Sequence, residues 1–183
     1  MLMRLYSRTF TALDHRFGDL LLTTLARFIF AATLFMFFWK SALTKIGPGL
    51  KGLIEPSVGA YAQILPLRME AVGFDPTQLS SVEHVIVYAG TYAEFILPVM
   101  VVIGLFTRLA ALGMIGFIAV MTLTDVFAHH VDAATIGSWF DKDASGLIAD
   151  QRMLWVFILL VSVFKGPGPF SLDRVLGRRW GYR

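Results

Sequence analysis

An apolar run over residues 85–106 carries a single carboxylate, Glu94, close to its middle. Roughly 22 residues at about 1.5 Å each give roughly 33 Å, enough to cross the hydrocarbon core of a bilayer. The run predicts a membrane-spanning helix and sets a problem for the rest of the chain. A carboxylate at that depth is costly against lipid, so Glu94 must face other protein, a cation or a polar cavity.

Composition points the same way. Hydrophobic residues make up 56% of the sequence and charged residues 16%, against about 25% charged in an average soluble domain. The 183 residues hold three further apolar segments. The expectation is one domain, 1–183: an all-α polytopic membrane protein, a bundle of four transmembrane helices at about 20–39, 82–106, 109–129 and 147–165, with short interfacial helices. There is no cysteine, which rules out disulfides and thiolate-ligated zinc or iron–sulfur sites in this chain, so no intrinsic cofactor is expected. The first apolar run is full length and lacks a small-residue cleavage site, so it reads as a retained span and not as a signal peptide.

The stretch before that span carries Arg4, Arg8 and Arg16, with Phe10, Leu13, Phe17 and Leu20 at helical spacing, the pattern of a short helix lying on a membrane surface. Pro48, Pro56, Pro66 and Pro76 forbid one continuous helix between the first two spans. Ser80-Ser81-Val82-Glu83 reads as a capping box, and Pro98 should bend the second span. The apolar part of the last span is too short to cross alone, so the helix must start earlier and draw Asp150, Gln151 and Arg152 into the bundle. Ser171 is a plausible N-cap for a final short helix carrying Arg174, Arg178 and Arg179, with Arg183 beyond it. Basic residues cluster at the termini and at Arg108, so the positive-inside rule predicts cytoplasmic termini. Anionic lipid, not nucleic acid, is the partner this distribution suggests; docking of a cytoplasmic enzyme on Arg174, Arg178 and Arg179 is the rival.

Three features carry a resemblance: Arg27 with Lys40 on the first helix; Glu94 followed by Leu97-Pro98 and the turn Gly104-Leu105-Phe106-Thr107-Arg108-Leu109-Ala110-Ala111; and the closing Gly166-Pro167-Gly168-Pro169-Phe170-Ser171-Leu172-Asp173. With them the chain resembles the DoxX family of small four-helix bacterial membrane proteins. The resemblance implies a multi-pass protein of the bacterial inner membrane. It also implies a subunit or accessory of a quinone-linked redox system such as a thiosulfate:quinone oxidoreductase, more a subunit than an autonomous enzyme, with redox-complex subunits or further copies of itself as partners. Catalytic residues are not implied.

The residues leave further readings open. Counting depth from the helix ends puts Arg152 level with Glu94, making these the preferred pair, with Arg27 nearer the cytoplasm. Glu94, Arg152, Asp125 and Tyr88 are candidates for a pocket holding a quinone headgroup or small anion; the alternative is that Arg27, Glu94 and Arg152 are structural ion pairs. Asp125 and His129, four apart, could be half a metal site completed by Glu83 and His84. Asp141, Asp143 and Ser145 open a calcium-loop pattern, but Arg152 stands where its bidentate Glu should be, and a polar turn with Ser145 capping the last span is the plainer reading. Two other functions fit the same composition: a non-catalytic membrane anchor or assembly subunit, and a small-solute or metal-handling membrane protein.

Overall fold

The computed structural model describes residues 1–13, 17–52 and 54–179. Its helices of six or more residues are α1 (Leu2–Leu13), α2 (Asp19–Lys45), α3 (Val58–Ile64), α4 (Pro66–Ala71), α5 (Ser81–Ile103), α6 (Thr107–Phe127), α7 (Leu147–Lys165) and α8 (Leu172–Arg179). Among the described residues the one β contact is an isolated bridge between Ile46 and Pro56. The protein is an all-α bundle in which α2, α5, α6 and α7 are long and apolar enough to cross a membrane. Phe28, Val85, Leu109, Val120 and Phe157, drawn from all four of these helices, are each more than 60% exposed. Rings of exposed large apolar side chains around a bundle suit lipid as the surrounding solvent, not water.

The four spans alternate in direction, so each end of the bundle has its own character. The termini and the α5–α6 reversal share one end, called here the turn end. The connections 46–80 and 128–146 share the other, the loop end. The core between them is built from Phe30, Leu34, Phe38, Val101, Ala110, Ala111, Met114, Ile118 and Leu159. At the loop end Ala60, Tyr61, Met69, Leu79 and Val87 form a second cluster that seats α3 and α4 on α5.

Local chemistry sets most boundaries. Ser80 caps α5, accepting from the Glu83 N–H at 3.4 Å while the Glu83 carboxylate accepts from the Ser80 N–H at 2.7 Å, the expected capping box. Gly104, at φ +70°, ends the same helix three residues earlier than the expected 106, and α6 begins at Thr107. The last span does start early, at Leu147, with a π-helical segment Leu147–Gln151. Gly146 caps it, its N–H donating to Asp150 Oδ2 at 2.9 Å, so Ser145 is not the cap. The first span also departs from its expected bounds: α2 continues past Trp39 to Lys45 because no Gly or Pro interrupts it before Gly47-Pro48. It carries its own π-helical segment, Ala31–Phe35.

The expected surface helix forms as α1, with Arg4 and Arg8 on it and Leu5, Tyr6, Phe10 and Leu13 exposed; Arg16 lies outside the described residues. At the other terminus Ser171 caps α8 through a 3.2 Å bond from the Arg174 N–H. Arg183 and the side chains of Arg178 and Arg179 lie outside the described residues.

Candidate functional site

Polar side chains inside the bundle meet according to helix direction. A side chain leans towards the N-terminus of its own helix. Lys45 on α2 therefore leans down from the loop end, and Glu94 on the antiparallel α5 leans up. They form an ion pair, Nζ to Oε2 at 2.6 Å, with both side chains less than 10% exposed. The ammonium approaches Oε2 off the hydrogen-bonding direction, so the contact is chiefly electrostatic. Lys45 also donates to Ser41 Oγ one turn earlier, at 3.0 Å. Pro98 stands four residues after Glu94 and lacks the N–H that would bond the Glu94 carbonyl in a regular helix.

The same rule joins the other antiparallel pair. Arg152 leans towards the loop end and Asp125 towards the turn end; Arg152 Nη2 donates to Asp125 Oδ2, and Nη1 donates to Thr122 Oγ1 at 2.9 Å. The expected Glu94–Arg152 pair is thus replaced by two pairs. Level Cα positions did not decide the partners, because both Glu94 and Arg152 lean the same way, each towards a residue nearer the loop end. Lys45 and Thr122 are the residues the sequence reading missed. Ser41 and Lys45 at i, i+4 inside an unbroken helical stretch were the available signal.

Arg27 is not an ion-pair partner of Glu94 either. It leans to the turn end and donates to four backbone carbonyls: Val101 at 3.1 Å, Val102 at 2.5 Å, Pro167 at 2.9 Å and Phe170 at 2.6 Å. The first two belong to the last turn of α5, whose carbonyls lack helical partners and carry the negative end of the helix dipole. Asp173 does the converse for α6, accepting from the N–H groups of Phe106 at 2.7 Å and Thr107 at 2.8 Å, and its own N–H returns to the Gly104 carbonyl at 2.9 Å. A Cβ on Gly104 would lie 2.5 Å from that of Ser171 and 2.9 Å from Arg27 Cζ, so the turn motif and the closing motif fit only with glycine there.

Between the two ion pairs lies a cavity of about 590 Å³, walled by α2, α5, α6 and α7 and covered by Gln63 and Ile64 of α3. Lys45, Glu94, Asp125, His129 and Arg152 all line it. Ala89, Gly90, Ala93, Gly113 and Gly116 line its α5 and α6 walls; Gly116 lies exposed, where a Cβ would meet nothing within 4 Å, while one on Gly113 would press on Leu97. Tyr88 does not line it. It sits six residues from Glu94, about 120° round the helix, with its ring 6.3 Å from that of Tyr92.

The metal candidates do not converge. Asp125 is held by Arg152, His129 Nε2 lies 3.2 Å from the Gln63 carbonyl, Glu83 accepts from Arg68 at 2.6 Å, and His84 Nδ1 lies 2.7 Å from the Tyr61 hydroxyl. Asp141 and Asp143 accept from the N–H groups of Asp143 and Ser145 at 2.9 and 3.0 Å, in successive Asx turns. Among the described residues no three His, Asp or Glu side chains are grouped to hold a metal ion. Arg174 is exposed on α8.

No protein-family model, no curated protein and no solved structure matches this chain.

Proposed function

We propose that the cavity is a binding site for a small lipid-soluble molecule with oxygen acceptors, and that the protein serves as a subunit or accessory of a quinone-linked redox system, as its resemblance to the DoxX family implies. The observation that carries this reading is an apolar cavity between Lys45–Glu94 and Arg152–Asp125. Its residues suit a quinone. Small side chains on α5 and α6 leave room for a ring, and ammonium and guanidinium groups keep donors beyond those used on their carboxylates. When bound, a quinone would supply two-electron, two-proton chemistry that a cysteine-free chain lacks. Lys45 and Arg152 would donate to its oxygens, Glu94 and Asp125 would hold those cations in place and offer proton acceptors, and the apolar walls would exclude water.

The arginine distribution supports cytoplasmic termini, with the loop end and the mouth of the cavity outside, in a bacterial inner membrane. Lipid headgroups are then the partners of α1 and Arg174.

The test is mass spectrometry of the gently solubilised protein from its native membrane, recording quinones, proteins and metals that remain bound. A stoichiometric quinone, lost on Glu94→Gln, is the expected result. Protein partners without a quinone would replace this reading with a membrane anchor; a bound metal or polar solute would replace it with a solute-handling protein.

A further inference from the structure

The connection between α6 and α7 carries a tryptophan and a phenylalanine where the chain itself gives them little cover. Trp139 is 61% exposed and Phe140 fully exposed. Phe140 also holds a left-handed backbone, φ +66°, which a bulky residue rarely takes and which glycine or asparagine takes at less cost. In water such a position favours a polar turn residue twice over, for the backbone and for the side chain. Two adjacent apolar rings there point to apolar surroundings outside the chain. The tip is also well fixed. Gly137 and Gly146 close its base, since a Cβ on Gly137 would lie 2.8 Å from Gly146 Cα, and the Asx turns at Asp141 and Asp143 shape the strand that returns. Trp139 Nε1 donates to the Ala149 carbonyl at 2.9 Å. A helix carbonyl points towards the C-terminus of its helix, so a donor that reaches Ala149 from outside stands beside the first turns of α7 and not above its end. Those turns expose Leu147, Met153 and Leu154 at 51%, 52% and 57%.

We infer that Trp139 and Phe140 seat the α6–α7 connection in the bilayer, in the leaflet at the loop end, with the indole at the interface and the Phe140 ring among acyl chains. The partner is lipid because the rings stand level with side chains of α7 that already face it, and because an indole with its N–H held by backbone suits the boundary between headgroups and hydrocarbon. Asp141, Lys142 and Asp143 follow directly, two acidic residues and one basic, and are exposed. They belong on the water side. The attachment is therefore apolar and indifferent to headgroup charge, unlike that of the arginine-bearing ends of the chain. It does not depend on what the cavity holds.

The test uses the purified full-length protein in vesicles of uncharged phosphatidylcholine. The chain has no cysteine, so Phe140→Cys, Lys142→Cys and Leu154→Cys each carry a nitroxide label at one known place, the last as the bilayer reference. Collision with oxygen, which partitions into the bilayer, and with a water-soluble nickel chelate ranks the three by depth. The label at position 140 should favour oxygen as the one at 154 does, and the label at 142 should favour the chelate. A label at 140 that the chelate reaches overturns the inference. So does one shielded from both reagents, which would mean that a second copy of the chain covers the tip. A further variant keeps the label at 142 and adds Phe140→Ser. Since the Phe140 ring is fully exposed within its own chain, only an outside contact can be lost, and the spectrum of the label should sharpen as the tip comes loose. An unchanged spectrum would equally defeat the inference.

Discussion

The two ends of the bundle use buried charge in opposite ways. At the turn end, Arg27 and Asp173 face backbone: one supplies donors to carbonyls at the end of α5, the other supplies acceptors to N–H groups at the start of α6, and the close fit around Gly104 leaves no space. At the loop end, Lys45–Glu94 and Arg152–Asp125 pair side chain with side chain around a cavity. Groups satisfied by backbone cannot be released without opening a helix end. Groups that satisfy each other can be re-partnered by a third molecule at small structural cost. The turn end is built to hold; the loop end, on the proposed function, to bind.

The sharpest way to break this contrast is Arg27→Ala. Four carbonyls lose their donor, and the protein should lose about 3 kcal/mol or more, read as a lowered unfolding temperature in detergent. Arg27→Lys should recover only part, since an ammonium lacks the planar fork that reaches both the end of α5 and the segment between α7 and α8. An unchanged unfolding temperature for Arg27→Ala would dissolve the distinction between the ends.

Glu94→Gln comes next, with a loss of about 2 kcal/mol as Lys45 is left buried without its counter-charge. Combining it with Lys45→Met should restore most of that stability without restoring ligand binding. A thermal-unfolding cycle over the two single variants and the double variant, run beside a binding assay, checks both halves. If the double variant were the least stable of the set, the pair would be a structural staple.

Gly116→Leu sharpens the comparison from the other side. The new side chain enters open space, so stability should stay within about 1 kcal/mol of the wild type or rise slightly from better helix propensity. Ligand binding should fall with it, measured by the quinone retained through purification. Strong destabilisation would mean that the cavity is not free room.

The smallest effect concerns the loops at the loop end. Asp132 is held below the usual carboxylate range by bonds from the Thr135 N–H and hydroxyl, and Asp143 by Ser145. Because their folded values are depressed, the stabilisation is fully present above the ordinary carboxylate pKa near 3.9 and fades as pH falls through the lower folded value. Protection of the Thr135 and Ser145 amides, taken relative to their intrinsic exchange rate at each pH, should fall below about pH 4, while α5 and α6 stay protected.

Much of this architecture was legible beforehand. Long apolar runs gave four spans, the shortness of the last run gave the early start of α7, and hydrogen-bonding side chains next to the helices gave the Ser80 and Ser171 caps, though not the one expected at Ser145. These signals are local, so a sequence displays them directly. The partners of Glu94 and Arg152 were not legible from depth alone, because depth fixes a Cα while the direction of the helix decides which way a side chain reaches. The true end of α2 was hidden too: the aromatic edge at Phe37, Phe38 and Trp39 looks like a membrane boundary, but the helix runs on until Gly47-Pro48. Arg27 was read as a charge in need of a countercharge. Its partners are carbonyls, which every residue has and no pattern marks.

Those carbonyls have a bearing on assembly. Arg27 lies on α2, while Pro167 and Phe170 lie 140 and 143 residues further along and are made after all four spans. Throughout synthesis the guanidinium has only water, headgroups or the end of α5 to bond. It reaches its full set of partners after the closing motif emerges, the same moment at which Asp173 caps α6. The closing motif is thus a latch that can shut only after all four spans have been made.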